Sequence, residues 1–141
     1  AFFVRVGDAE ACKRPNLAAL HVGGSRFILL ILANQVKCFV AEQMRGHGIV
    51  FVREFSFHPR RKWRADFRVV TEQSRLLIEV EGAVSKNGRH TRGKGFEDDC
   101  EKYAAATLEG YVVLRVTPRQ IQNYKAITWI TQLVWKNEGE R

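Results

Sequence analysis

Asp66, Glu79 and Glu81 are the residues of this chain whose types and spacing could do chemistry. A β-strand has a period of two, so in Leu77-Ile78-Glu79-Val80-Glu81 both glutamates point to one face while Ile78 and Val80 point to the other. In Trp63-Arg64-Ala65-Asp66-Phe67-Arg68-Val69-Val70, the residues Ala65, Phe67 and Val69 form an apolar face and Asp66 lies opposite. The short polar stretch Thr71-Glu72-Gln73-Ser74 suits a hairpin that lays the two strands side by side. Three carboxylates then converge on one sheet face, where they repel one another unless a cation or a shared proton neutralises them. Oxygen donors of this kind suit Mg²⁺, with Mn²⁺ as substitute. The competing reading is a solvated strand face that happens to be acidic.

Two basic clusters flank these acids along the chain. Arg60, Arg61, Lys62 and Arg64 precede them, and Lys86, Arg89, Arg92 and Lys94 follow, a pattern that suits phosphates on both sides of an acidic pocket. The whole chain of 141 residues carries 23 Lys and Arg against 15 Asp and Glu, a net charge of +8. Basic charge of that size favours a polyanionic partner without choosing between DNA, RNA and an anionic membrane. Cys12, Cys38 and Cys100 are odd in number and widely spaced, with no metal-ligand spacing, and read as reduced, buried or half-buried thiols of a cytoplasmic protein. The longest apolar run, Phe27 to Leu32, is too short for a bilayer, and no signal peptide is read at Ala1.

The elements that must position the acids follow from pattern and punctuation. Residues 1–25 read as an N-terminal extension, 26–136 as the folded domain and 137–141 as a polar tail. Ser25 caps a helix to about Arg45, ended by Gly46-His47-Gly48, with Ile28, Leu32, Val36, Phe39, Val40 and Met44 as its inward stripe. Ile49 to Phe57 is a strand, broken by the basic loop His58 to Lys62, and the two acid-bearing strands come next. A long loop from Gly82 to Gly95 holds His90 and leads to a helix from Phe96 to Leu108. In that helix Glu97, Asp98 and Asp99 lie at the positive end of the dipole, and Phe96, Cys100, Ala104 and Leu108 form the buried stripe. Tyr111 to Val116 reads as a strand buried on both faces, Pro118 opens a short helical turn, and Ala126 to Trp135 is a last helix. Trp63 reads as a core or sheet-edge aromatic, and Trp129 and Trp135 as packing residues. The order helix, three strands, helix, strand, helix predicts an α/β fold with a mixed four-stranded sheet flanked by helices.

That order, with Asp66 and Glu79 where they stand, resembles the PD-(D/E)xK restriction-endonuclease-like superfamily and its αβββαβ core, over about residues 26–135. Arg53-Glu54-Phe55, Phe57-His58-Pro59, Trp63-Arg64-Ala65-Asp66-Phe67, Ile78-Glu79-Val80-Glu81-Gly82, Gly88-Arg89-His90-Thr91-Arg92-Gly93 and Phe96 to Tyr103 look like small phage and prophage endonucleases, some described as Holliday junction resolvases. Gly110 to Thr117 is similar in style to the very-short-patch repair endonucleases.

The resemblance implies a metal-dependent DNA endonuclease acting inside a bacterial host cell, with branched DNA as substrate and a homodimer as working unit. It implies Asp66, Glu79 and the Val80 carbonyl as metal ligands and Glu81 as ligand or general base. The alternatives are a mismatch or sequence-specific nicking enzyme, and a nucleic-acid-binding module without turnover. The superfamily usually places Lys where this chain has Glu81, and the similar phage proteins tend to have Asn where it has Ala104. Lys102 stands in for the missing lysine or pairs with Asp98 or Asp99 on its own helix. His90 orients a phosphate, protonates the leaving oxygen or is simply exposed. Glu42 occupies the helix on which some resolvases carry an extra glutamate, and Glu54 either joins the site or ties down Arg64 or Arg68.

Overall fold

A computed structural model of the chain describes residues 25–72, 75–82 and 92–136. Helix α1 (Ser25–Gly46) leads to strands β1 (Phe51–Ser56), β2 (Arg64–Val69) and β3 (Leu76–Val80). Helix α2 (Arg92–Leu108), strand β4 (Val112–Val116) and helices α3 (Pro118–Gln122) and α4 (Lys125–Lys136) follow. The sheet order is β1-β2-β3-β4, with the first three strands antiparallel and β4 parallel to β3. Parallel pairing requires a crossover, and α2 lies in it. This is the mixed four-stranded α/β sheet flanked by helices that pattern and punctuation predict.

Two glycines stop helices for the same reason. Gly48 (φ 68°) and Gly110 (φ 81°) lie in the left-handed region that glycine enters without a Cβ clash. At each, the amide of the glycine and that of the next residue reach back to the last turn: Gly48 to Arg45 and Ile49 to Met44, Gly110 to Thr107 and Tyr111 to Ala106. Thr117 and Gln120 form a capping box around Pro118 and start α3.

One apolar core joins α1, α3 and α4 to the sheet through Val40, Met44, Phe67, Ile78, Ile121 and Ile130. A smaller cluster of Phe57, Ala65, Leu77 and Ala106 sits under α2, with Tyr111 and Trp63 packed against it. Helix α1 uses Val40 and Met44 from its expected stripe, with Val36 and Phe39 half-buried against the same core, and leaves Leu32 exposed. The side chain of Ile28 lies outside the described residues.

Helix α2 departs most from the pattern expected of it. It begins at Arg92, so Arg92 and Lys94 belong to its first turn, and no acid does. The stripe of Phe96, Cys100, Ala104 and Leu108 faces solvent, with Phe96 68% and Leu108 88% exposed. The helix turns Ala106, with Lys102 and Tyr103 half-buried, toward the sheet. Helical spacing finds an apolar row but does not decide which row docks, and here a lysine and a tyrosine that meet carboxylates occupy the inner side. Cys100 is therefore exposed rather than buried, while Cys38 is half-buried; Cys12 lies outside the described residues. Strand β4 is at the sheet edge instead of being covered on both faces, and Val112 is 55% exposed. Trp129 packs against the main core, but Trp135 is exposed.

Candidate active site

The strand registers set a row of charged residues across all four strands. Glu79 of β3 pairs with Arg115 of β4. Phe67 pairs with Ile78, and carrying that antiparallel register one residue further sets Asp66 opposite Glu79. On β1 the pairs Arg53↔Phe67 and Phe55↔Ala65 bracket Glu54 and set it opposite Asp66. Glu54, Asp66, Glu79 and Arg115 thus follow one another in the hydrogen-bonding direction, with Glu81 two residues beyond Glu79.

Asp66, Glu79 and Glu81 each pair with a different cation. The Asp66 carboxylate accepts from the Val80 amide at 2.8 Å through Oδ2 and pairs with Lys37 of α1 through Oδ1. Glu79, only 9% exposed, accepts from Lys102 Nζ at 2.5 Å. Burial pushes its carboxyl above the ordinary value, a push the Lys102 ammonium opposes and the neighbouring charges of Asp66 and Glu81 reinforce. Glu81 accepts from Arg115 Nε at 2.6 Å. The hydrogen bond to Glu81 raises the Arg115 guanidinium above its ordinary value, and the same guanidinium lies over the Tyr103 ring, 4.6 Å from its centroid. Burial, with Glu79 and Glu81 nearby, raises the Tyr103 phenol as well, so its hydroxyl stays protonated across the physiological range.

Lys102 therefore leaves Asp98 and Asp99 of its own helix aside and reaches β3 instead. Glu54 pairs with Lys37 at 3.7 Å rather than with Arg64 or Arg68, and Arg68 lies over the Phe55 ring at 4.7 Å. Glu42 is on an exposed face of α1. Among the described residues no three His, Cys, Asp or Glu side chains are gathered closely enough to hold a metal ion, and Asp66, Glu79 and Glu81 are each paired with an internal cation.

Lys37 is a site residue that the sequence pattern did not bring forward. Its signal was present: Lys37 stands four residues before Ala41 and three before Val40, both fully buried, so a lysine lies on the inner row of α1. Burial lowers its ammonium, and the hydrogen bond and charge of Asp66, aided by Glu54, outweigh that and hold it above the ordinary value.

Glu54 has a φ of 48°, in the left-handed region where an acidic side chain is strained. Glycine at that position removes the strain and forgoes only an ion pair whose glutamate is 54% exposed. Glu54→Gly is expected to leave the urea unfolding free energy unchanged or to raise it by up to about 1 kcal/mol, opposite in sign to the same change at an ordinary strand residue.

The basic loop before β2 is shaped by His58, whose Nδ1 accepts from the amides of Arg60 at 3.2 Å and Arg61 at 3.0 Å. Arg61 lies over the Trp63 ring at 5.0 Å and pairs with Glu101 of α2 at 3.3 Å. Trp63 in turn stacks on Phe57, as a sheet-edge aromatic does. Arg60, Lys62 and Arg64 are exposed, as is Lys94 of α2. Lys86, Arg89, His90 and the side chain of Arg92 lie outside the described residues.

No helix among the described residues is long and apolar enough to cross a membrane. No family model matches the chain, and no curated protein matches it. Among solved structures it is similar to the Homing Endonuclease I-Bth0305I Catalytic Domain, at 18% identity and a TM-score of 0.49, over 72% of this chain and 95% of that one.

Proposed function

We propose that the protein is a metal-dependent endonuclease that hydrolyses DNA phosphodiester bonds, selective for branched DNA such as a four-way junction and working as a homodimer. The observation that carries the reading is the Lys102–Glu79 pair beside Asp66. The strand position that resembles a catalytic lysine site holds Glu81, and a lysine from α2 instead meets the neighbouring acid of β3. Branched substrate and dimer follow from the sequence resemblance alone.

Asp66 and Glu79 are hard oxygen donors on adjacent strands, a donor set that fits Mg²⁺ or Mn²⁺, and the Val80 carbonyl lies on the strand beside Glu79. Such an ion, when bound, lowers the pKa of water and offsets charge on the phosphorane. The chain's own residues do the rest. Lys102 Nζ, at hydrogen-bond distance from Glu79, is placed to donate to a phosphate oxygen or to the attacking water. Glu81 uses Oε1 on Arg115 and keeps its other oxygen for a proton from that water, as ligand or general base. His90 is assigned to the phosphate or the leaving oxygen. Arg60, Arg61, Lys62 and Arg64 on one side and Lys86, Arg89, Arg92 and Lys94 on the other are assigned to backbone phosphates.

The pairing of all three acids with internal cations favours a second reading, a nucleic-acid-binding module without turnover. Incubating labelled four-way junction and linear duplex with Mg²⁺, Mn²⁺ or EDTA separates the two. Metal-dependent junction cleavage supports the first reading, equal nicking of both substrates removes the branched-DNA selectivity, and binding with no cleavage in either metal supports the second.

The loop cations give a separate prediction. Arg60→Ala with Lys62→Ala should weaken DNA binding most at low salt and reduce the slope of log affinity against log salt by about one for each phosphate left without its cation. A fluorescence anisotropy titration at several salt concentrations measures it, and an unchanged slope would place these residues away from the phosphates.

A further inference from the structure

Lys37 reaches the acidic row from α1, an element that otherwise contributes to the main core. Its ammonium contacts Asp66 and lies 3.7 Å from Glu54, so it bridges carboxylates on two neighbouring strands. Lys102 and Arg115 differ from it in being packed over the ring of Tyr103, at 5.7 Å and 4.6 Å. The row holds Glu54, Asp66, Glu79 and Glu81 against Lys37, Lys102 and Arg115, one negative charge in excess. A dication added to that set, with all three cations in place, reverses the sign and sets two positive centres against one Asp66 carboxylate.

We propose that Lys37 is the resting counter-ion of Asp66, a positioning residue that a divalent cation displaces and whose freed ammonium then faces the phosphate of the DNA. The proposal rests on the endonuclease reading. The four-carbon stem of lysine lets the ammonium leave Asp66 without moving α1. Glu54, 54% exposed at the margin of the row, remains within reach as the group that keeps the released ammonium beside the site. Asp66 does not lose its anchoring on release, because its Oδ2 still accepts from the Val80 amide. Metal binding and the Lys37–Asp66 pair are therefore alternatives for one oxygen, Oδ1, and each weakens the other by the same factor.

The test is Mn²⁺ binding by calorimetry on the full chain without DNA, with wild type, Lys37→Met, Lys37→Arg and Asp66→Asn, each checked for a native thermal transition. Lys37→Met is expected to bind Mn²⁺ roughly tenfold more tightly than wild type, within the usual range for coupled sites. Lys37→Arg should return the affinity toward that of wild type, and Asp66→Asn should abolish binding. With DNA and saturating metal, Lys37→Met should raise KM, so that metal affinity and substrate affinity move in opposite directions; a merely structural lysine weakens both. Should Met disturb the fold, Lys37→Gln keeps most of the side-chain length and serves in its place. If wild type binds Mn²⁺ through Asp66 and the folded Lys37 variants bind it no tighter, the displacement is wrong and the endonuclease reading stands. If neither wild type nor the Lys37 variants bind Mn²⁺, both fall together.

Discussion

Asp66→Asn and Glu79→Gln are each expected to lower DNA cleavage by about three orders of magnitude or more while leaving DNA binding at low salt nearly intact. Asp66 sits between two donors, the Val80 amide and the Lys37 ammonium. Asparagine keeps the shape but turns an amide NH₂ toward one of those donors, which costs about 1–3 kcal/mol of stability and removes the charge that would hold a cation. Glutamine at position 79 still accepts from Lys102, so its loss of activity comes without a comparable loss of fold. The two variants thus separate charge from structure. A junction-cleavage assay measures the first effect and urea unfolding the second; cleavage surviving in Glu79→Gln would remove Glu79 from the chemistry.

Glu79→Gln also changes how stability depends on pH. Burial raises the folded carboxyl above the ordinary 4.5 despite the opposing Lys102. The folded state therefore binds more protons than the unfolded one in the window from about 4.5 up to the raised value. The contribution of Glu79 to stability is fully present below the unfolded value and is lost as pH rises through the folded one. Glutamine does not titrate, so the gap between wild type and Glu79→Gln should shift against wild type as pH rises across that window, and unfolding at a series of pH values measures it.

Lys102→Met has the second large effect. It strips the buried Glu79 of its ammonium partner, and leaving one member of such a pair alone costs about 2–4 kcal/mol at neutral pH. With the lowering influence of Lys102 gone, the Glu79 carboxyl climbs further, and a carboxylate needed in its charged form becomes available only at higher pH. The acid limb of the kcat/KM profile should therefore move to higher pH, and kcat at its plateau should fall by about 100-fold. Lys102→Arg is expected to restore the pH profile more fully than the plateau rate, because the guanidinium supplies the charge in a different shape. A Lys102→Met variant with wild-type kcat and an unmoved acid limb would return Lys102 to the role of an ordinary surface cation.

The strands were legible because their information is local. The two-residue period of a strand fixes which side chains of residues 64–69 and 76–80 share a face whatever the rest of the chain does, and the hairpin register then sets Asp66 opposite Glu79. The glycine stops at Gly48 and Gly110 were legible for the same reason, since a left-handed residue after a helix needs no distant partner. The rotation of α2 was not legible. Its apolar row at Phe96, Cys100, Ala104 and Leu108 satisfies helical spacing as well as the row that docks, and only packing on the sheet separates the two.

By itself the sequence determined the order of elements, the antiparallel hairpin that joins the acids, and the net positive charge of the chain, because each follows from residue type and near-neighbour spacing. Tertiary structure alone decided that Lys37, Lys102 and Arg115, drawn from α1, α2 and β4, pair with Asp66, Glu79 and Glu81 in turn, Lys37 reaching Glu54 as well. Burial makes a lone charge costly and leaves the choice of partner to whichever cation the packing of helix on sheet brings within reach, and no spacing along the chain encodes that distance.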